Sequence, residues 1–77
     1  GNKIDPAEVR DVLLSHPDVK DARIVAEGNS SYNGRIVKLR ARVWLRGRTD
    51  LDSGEIRRFC RERMAAYKVP AFLDIIR

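Results

Sequence analysis

Cysteine, histidine, tryptophan and methionine occur once each in this chain, at Cys60, His16, Trp44 and Met64. A lone cysteine cannot close an internal disulfide, and one cysteine with one histidine falls short of the four ligands of a structural zinc site. The metal expectation is therefore none. A single free thiol fits a reducing, cytoplasmic setting. No apolar run approaches the roughly 20 residues that a membrane-spanning helix needs. The chain also lacks an initiating methionine, as expected of a domain that belongs to a longer protein.

What is present is enough for one small domain. The chain has 77 residues, 43% of them hydrophobic, and this fraction with its visible periodicity argues for a folded domain spanning residues 1–77. Such a short chain buries only about 60% of its unfolded surface, so its core is modest. Sixteen Lys and Arg against eleven Asp and Glu give a net charge of +5, which suits an anionic partner or simple solubility.

The local signals alternate between two periods. Asp5 and Pro6 open a helix, with Glu8 at a capping-box spacing, and Val9, Val12 and Leu13 form its apolar stripe. Ser15-His16-Pro17 ends it. From Val19 to Glu27 the period is two, and a polar loop from Gly28 to Gly34 connects to a second strand. In that strand Val37, Leu39, Ala41, Val43 and Leu45 face one way, with Lys38, Arg40, Arg42, Trp44 and Arg46 facing the other. A second helix opens at Asp52 or Ser53, with an apolar face of Ile56, Phe59, Cys60 and Met64 and an outer face that includes Arg57, Arg58 and Arg61. It fades near Tyr67-Lys68, and Ala71 to Ile76 reads as a last strand. The expected fold is α+β in the order α-β-β-α-β, with two helices packed on one face of a mostly antiparallel sheet of about three strands.

Catalytic constellations are nearly absent. His16 has acidic neighbours in sequence but no Ser or Cys partner, and Cys60 lies on the apolar face of its helix. The loop from Gly28 to Gly34 lacks the spacing and the lysine of a phosphate cradle. One constellation remains: Lys38, Arg40, Arg42 and Arg46 share a strand face with Trp44. It can bind phosphates, or it can be the solvated side of a sheet. A free-standing nucleic-acid-binding module built on that face is the alternative reading of the whole chain.

Three segments carry a more specific pattern. Gly1-Asn2-Lys3-Ile4-Asp5-Pro6-Ala7-Glu8-Val9-Arg10 resembles the segment that opens the C-terminal domain of AMP-forming acyl-CoA synthetases. His16-Pro17-Asp18-Val19-Lys20-Asp21-Ala22 is similar to that family's step into its first long strand, and Phe59-Cys60-Arg61-Glu62-Arg63-Met64-Ala65-Ala66-Tyr67-Lys68-Val69-Pro70 to its helix ending in Tyr-Lys-Val-Pro. Arg10 and Met64 depart from the pattern, where the family usually has Glu and Leu. The resemblance implies the mobile C-terminal lid of an acyl- or aryl-CoA ligase, which activates a carboxylic acid with ATP and passes it to coenzyme A. It implies that Gly1, Asn2 and Lys3 line the coenzyme A tunnel or a domain interface. It also implies that the adenylation lysine, in a Gly-Lys pair this chain lacks, lies beyond Arg77, so the chain alone is expected to be inactive and to hold no cofactor. ATP, Mg and coenzyme A would belong to the parent enzyme, along with a carboxylic acid substrate and a larger N-terminal adenylate-forming domain as partner.

Overall fold

A computed structural model describes residues 4–26, 31–32, 35–36 and 38–76. Its elements in chain order are α1 (Pro6–Leu14), β1 (Val19–Ala26), β2 (Ser31–Tyr32), β3 (Arg35–Ile36), β4 (Leu39–Leu45), α2 (Ser53–Arg61), a 3-10 turn (Ala66–Lys68) and β5 (Phe72–Ile76). No described helix is long and apolar enough to cross a membrane.

The main sheet has the order β1-β4-β5. β1 and β4 run antiparallel, whereas β4 and β5 run parallel. A mostly antiparallel sheet was expected, and the structure instead pairs one junction of each kind. The reason is the connection: a parallel neighbour needs a crossover of a dozen or more residues, and α2 supplies it. Ser31–Tyr32, inside the segment expected to be a connecting loop, pairs with Arg35–Ile36 just beyond it as a separate two-stranded ribbon. Val37 and Glu27, read as strand residues, lie outside the described residues.

Both helices pack on one face of the main sheet. Val9 and Leu13 of α1 and Ile56 and Cys60 of α2 are essentially inaccessible, as are Leu39, Ala41 and Val43 of β4. Burying one such aliphatic side chain contributes about 1.5–3 kcal/mol, so this one layer carries most of the fold's stability. Val19 and Ala22 are both buried although three residues apart, which a regular strand forbids. Lys20 resolves the conflict: the pairing Val19↔Leu45 becomes Asp21↔Trp44, so β1 carries one extra residue there. This bulge returns Val19 to the covered side.

Asp5 caps α1 by accepting from the Ala7 N–H at 2.9 Å, with Pro6 at the first position. Glu8 does not complete a capping box; its carboxylate points elsewhere, as described below. α2 is capped by Asp52, which accepts from the Glu55 N–H at 2.8 Å. It ends at Arg61, earlier than the sequence periodicity suggests, and Met64 lies past its end. Arg63 donates to the Phe59 carbonyl at 3.1 Å, satisfying an acceptor of the last turn. Arg57, expected to point outward, lies over the chain leading into β5 and donates to the carbonyls of Pro70 at 2.6 Å and Ala71 at 3.1 Å.

Candidate functional surface

Groups that sequence patterning left as weak catalytic candidates are engaged in the fold. The His16 Nδ1 accepts from the Asp18 N–H at 3.0 Å, and its ring meets Phe59 edge-on at a centroid distance of 4.7 Å. The Phe59 ring also carries the Arg63 guanidinium, 3.6 Å from its centroid. His16 thus helps dock the end of α1 on α2. The turn it begins is tied further, because Arg46 N–H donates to the Asp18 carbonyl at 2.8 Å and the Thr49 hydroxyl donates to the Asp18 carboxylate at 3.2 Å. Cys60 is buried, and burial pushes its thiol pKa above the usual range despite the opposing pull of Arg57 and Arg63. A protonated, enclosed thiol is a poor nucleophile. Among the described residues, no three His, Cys, Asp or Glu side chains gather in a metal-binding group.

The structure joins segments that are far apart in sequence. The Lys68 ammonium lies 3.1 and 3.2 Å from the two oxygens of the Glu8 carboxylate, across 60 residues of chain. The hydrogen bond to Glu8 is the main reason the Lys68 pKa is raised, outweighing the opposing effect of desolvation. Glu8 sits in the first turn of α1, and Lys68 closes the 3-10 turn before the buried Pro70. No local signal announces this pair, since each residue has a sufficient local explanation: a helix-start acid and a lysine in a turn before proline.

The second feature is the open face of the sheet, whose side chains fall in rows fixed by strand register. One row is Val25–Arg40–Phe72, with Val25 and Phe72 both exposed. The next is Arg23–Arg42–Asp74. The third is Asp21–Trp44–Ile76. Both oxygens of the Asp74 carboxylate lie 3.0 Å from one guanidinium nitrogen of Arg40, whose guanidinium carbon is 4.9 Å from the Phe72 ring centroid. Asp21 accepts from Arg10 of α1 at 3.1 Å, and Arg10 also donates to the Ala22 carbonyl at 2.9 Å. Arg10 thereby satisfies a carbonyl of an edge strand, which gives this departure from the family pattern a local purpose.

Of the basic residues singled out from sequence, the structure places Arg40 and Arg42 on this face. Lys38 and Arg46 are exposed just before and just after β4. At about 3.3 Å per residue, the span from Lys38 to Arg46 is roughly 26 Å, too long for one phosphate to bridge. Arg23 was not among the candidates, although its place on the polar side of the β1 alternation is a signal that could have found it. Gly1, Asn2 and Lys3, the expected tunnel or interface residues, lie outside the described residues.

No protein-family model matches the chain. Individual relatives do. A 2-succinylbenzoate–CoA ligase of Geobacillus kaustophilus is 45% identical over 71 residues, covering 92% of this chain and 14% of that relative. A probable CoA ligase of Humulus lupulus is 39% identical over 70 residues, covering 91% of this chain and 13% of the relative. In three dimensions, the O-succinylbenzoate coenzyme A synthetase of Bacillus subtilis in complex with AMP aligns with a TM-score of 0.75 and 34% identity. That alignment covers 95% of this chain and 14% of the synthetase. The chain is homologous to the C-terminal region of adenylate-forming CoA ligases. An amide bond synthetase of Marinactinospora thermotolerans, at 24% identity and a TM-score of 0.80, shares the fold. The chain spans about 14% of the length of the curated relatives it matches. The B. subtilis synthetase has also been solved with ATP and a magnesium ion. The nucleic-acid-binding alternative finds no support among these relatives.

Proposed function

We propose that this domain serves as the C-terminal lid of an acyl- or aryl-CoA ligase. In the first half-reaction, a carboxylate oxygen would attack the α-phosphorus of ATP, giving an acyl-adenylate and pyrophosphate. In the second, the thiol of coenzyme A would add to the acyl carbon, lose its proton and expel AMP. The larger N-terminal adenylate-forming domain of such an enzyme would supply the acid pocket, and ATP, Mg and coenzyme A would be bound by the whole enzyme. A lid that rotates between the two steps shields the reactive adenylate from water and presents a different surface for each step.

The observation that carries this reading is the Glu8–Lys68 pair. It ties the first turn of α1, which follows the Gly1, Asn2 and Lys3 that would line the coenzyme A tunnel or domain interface, to the 3-10 turn before Pro70. Two segments that resemble ligase motifs are thus in direct contact. The basic row of Lys38, Arg40, Arg42 and Arg46 would offer positive charge to the phosphates of coenzyme A. The same reading places the enzyme in the cytoplasm, in keeping with a free, protonated Cys60.

A chimera tests the proposal. The matching segment of the Geobacillus kaustophilus ligase is replaced by this chain, and pyrophosphate release and thioester formation are measured separately. Thioester formation is expected to survive the exchange. A chimera that folds and releases pyrophosphate normally but forms no thioester would sink the proposal. So would ATP-dependent pyrophosphate release by the isolated chain with a panel of carboxylic acids.

A further inference from the structure

Arg23 and Arg42 face each other directly across the β1–β4 pair, on the open side of the sheet. Opposed residues on antiparallel strands have Cβ atoms about 5 Å apart, and like charges in that position repel. Nearby carboxylates do not relieve the repulsion. Asp74, the register neighbour of Arg42 on β5, has both oxygens on Arg40. Asp21 is turned to Arg10 of α1 and to the Ala22 N–H. Among the described residues neither Arg23 nor Arg42 enters an ion pair. Both line a recess of about 190 Å³ whose remaining walls are Val25 and the Asp74-bound Arg40.

We propose that Arg23 and Arg42 form a two-arginine clamp for a phosphate group. Each guanidinium presents a planar fork of donors, and two forks reaching in from adjacent strands match a tetrahedral anion with three or more acceptor oxygens. A lone carboxylate, with two oxygens, is already satisfied by one fork. Arg40 contributes charge at the edge of the recess but stays with Asp74, and Val25 gives the recess an apolar wall that weakens competition from water. The clamp sharpens the basic row to one pair, and one of its members comes from a different strand. Assigning its phosphate to coenzyme A rests on the ligase reading above; the clamp itself does not.

The test uses the 77-residue chain. Inorganic phosphate is titrated at constant ionic strength while backbone amide and arginine Nε–H signals are followed by NMR. The expected result is saturable shifts centred on Arg23 and Arg42, with affinity at least about tenfold weaker in R23Q and R42Q and lost in the double variant. R42K keeps the charge without the fork and should also weaken binding, whereas R58Q, which removes the same charge from the outer side of α2, should change it less than about twofold. Circular dichroism checks that each variant is folded. Shifts that grow linearly with phosphate, that persist in the double variant, or that chloride reproduces would overturn the clamp. A second arm compares coenzyme A with 3′-dephospho-coenzyme A. A preference of about tenfold or more for coenzyme A, lost in the double variant, supports the clamp and assigns its phosphate to that molecule. Equal binding of the two, with inorganic phosphate still saturating the clamp, supports a site for free phosphate; the ligase reading is then judged by the chimera alone.

Discussion

Ala41 and Arg42 are adjacent in β4, yet they occupy different physical environments. Ala41 is fully buried beneath the helices, among Val9, Leu13 and Ile56 of the same core. Arg42 stands on the opposite face, exposed, between Arg23 and Asp74. The covered face is stabilised by non-directional apolar burial and tolerates no unpaired charge. The open face holds ion pairs, cation–aromatic contacts and exposed apolar residues whose individual contributions are small. One side of the sheet therefore keeps the domain folded, and the other is free to vary with function.

The sharpest way to break that contrast is to put a charge on the wrong side. Ala41→Asp would bury a carboxylate with no partner and cost about 4 kcal/mol or more, enough to unfold a domain this small. Loss of the far-UV dichroism signal at 25 °C would register it. Leu13→Ala, which leaves a cavity on the same side, is expected to cost about 3 kcal/mol and to lower the urea midpoint sharply. On the open face the effects shrink. Asp74→Asn removes a partly exposed pair with Arg40 and should cost about 0.5–1 kcal/mol by the same urea measurement. Arg42→Ala should stay within about 0.5 kcal/mol of the parent, since it loses a surface side chain and relieves repulsion with Arg23. A large loss there would mean that the open face is part of the core.

The smallest effect concerns pH and lies where the 3-10 turn meets the start of α1. Because Lys68 is raised above its ordinary value of 10.5 by Glu8, its contribution is fully present below about 10.5 and disappears as pH rises through the folded value. Lys68→Met should therefore be slightly less stable than the parent at pH 8, with the difference closing in denaturant titrations taken progressively above pH 10.5. A difference that persists unchanged at the highest pH would assign the role of Lys68 to packing of its stem.

Much of this architecture was legible in the residues. The alternation from Leu39 to Leu45 fixed the face of β4, and Asp5-Pro6 and Asp52 marked the helix starts where the structure has them. Local chemistry governs such features, so local patterns reveal them. The ends were less visible. Met64 continues the apolar spacing of α2, but the helix has already stopped at Arg61, where Arg63 folds back over Phe59. In β1 the alternation alone misses Val19, because the bulge at Lys20 changes which side a residue faces. Of the candidate surface, the sequence supplied the basic character of β4 and put Arg23 on the polar side of β1, but it gave no reason to pair Arg23 with Arg42 or to separate Arg40 from its neighbours.

By itself the sequence determined an α+β domain with two amphipathic helices, a strand with one apolar and one basic side, and ordered motifs that resemble CoA ligases. Periodicity and short spacings encode those properties within a few residues. Only the tertiary structure decided that β5 runs parallel to β4, that Glu8 meets Lys68, that Arg40 is held by Asp74, and that Arg23 stands opposite Arg42. Each of these is a contact between distant segments, set by strand register and by how the helices fold onto the sheet. Register depends on the burial of a whole face at once, so no local window of residues contains it.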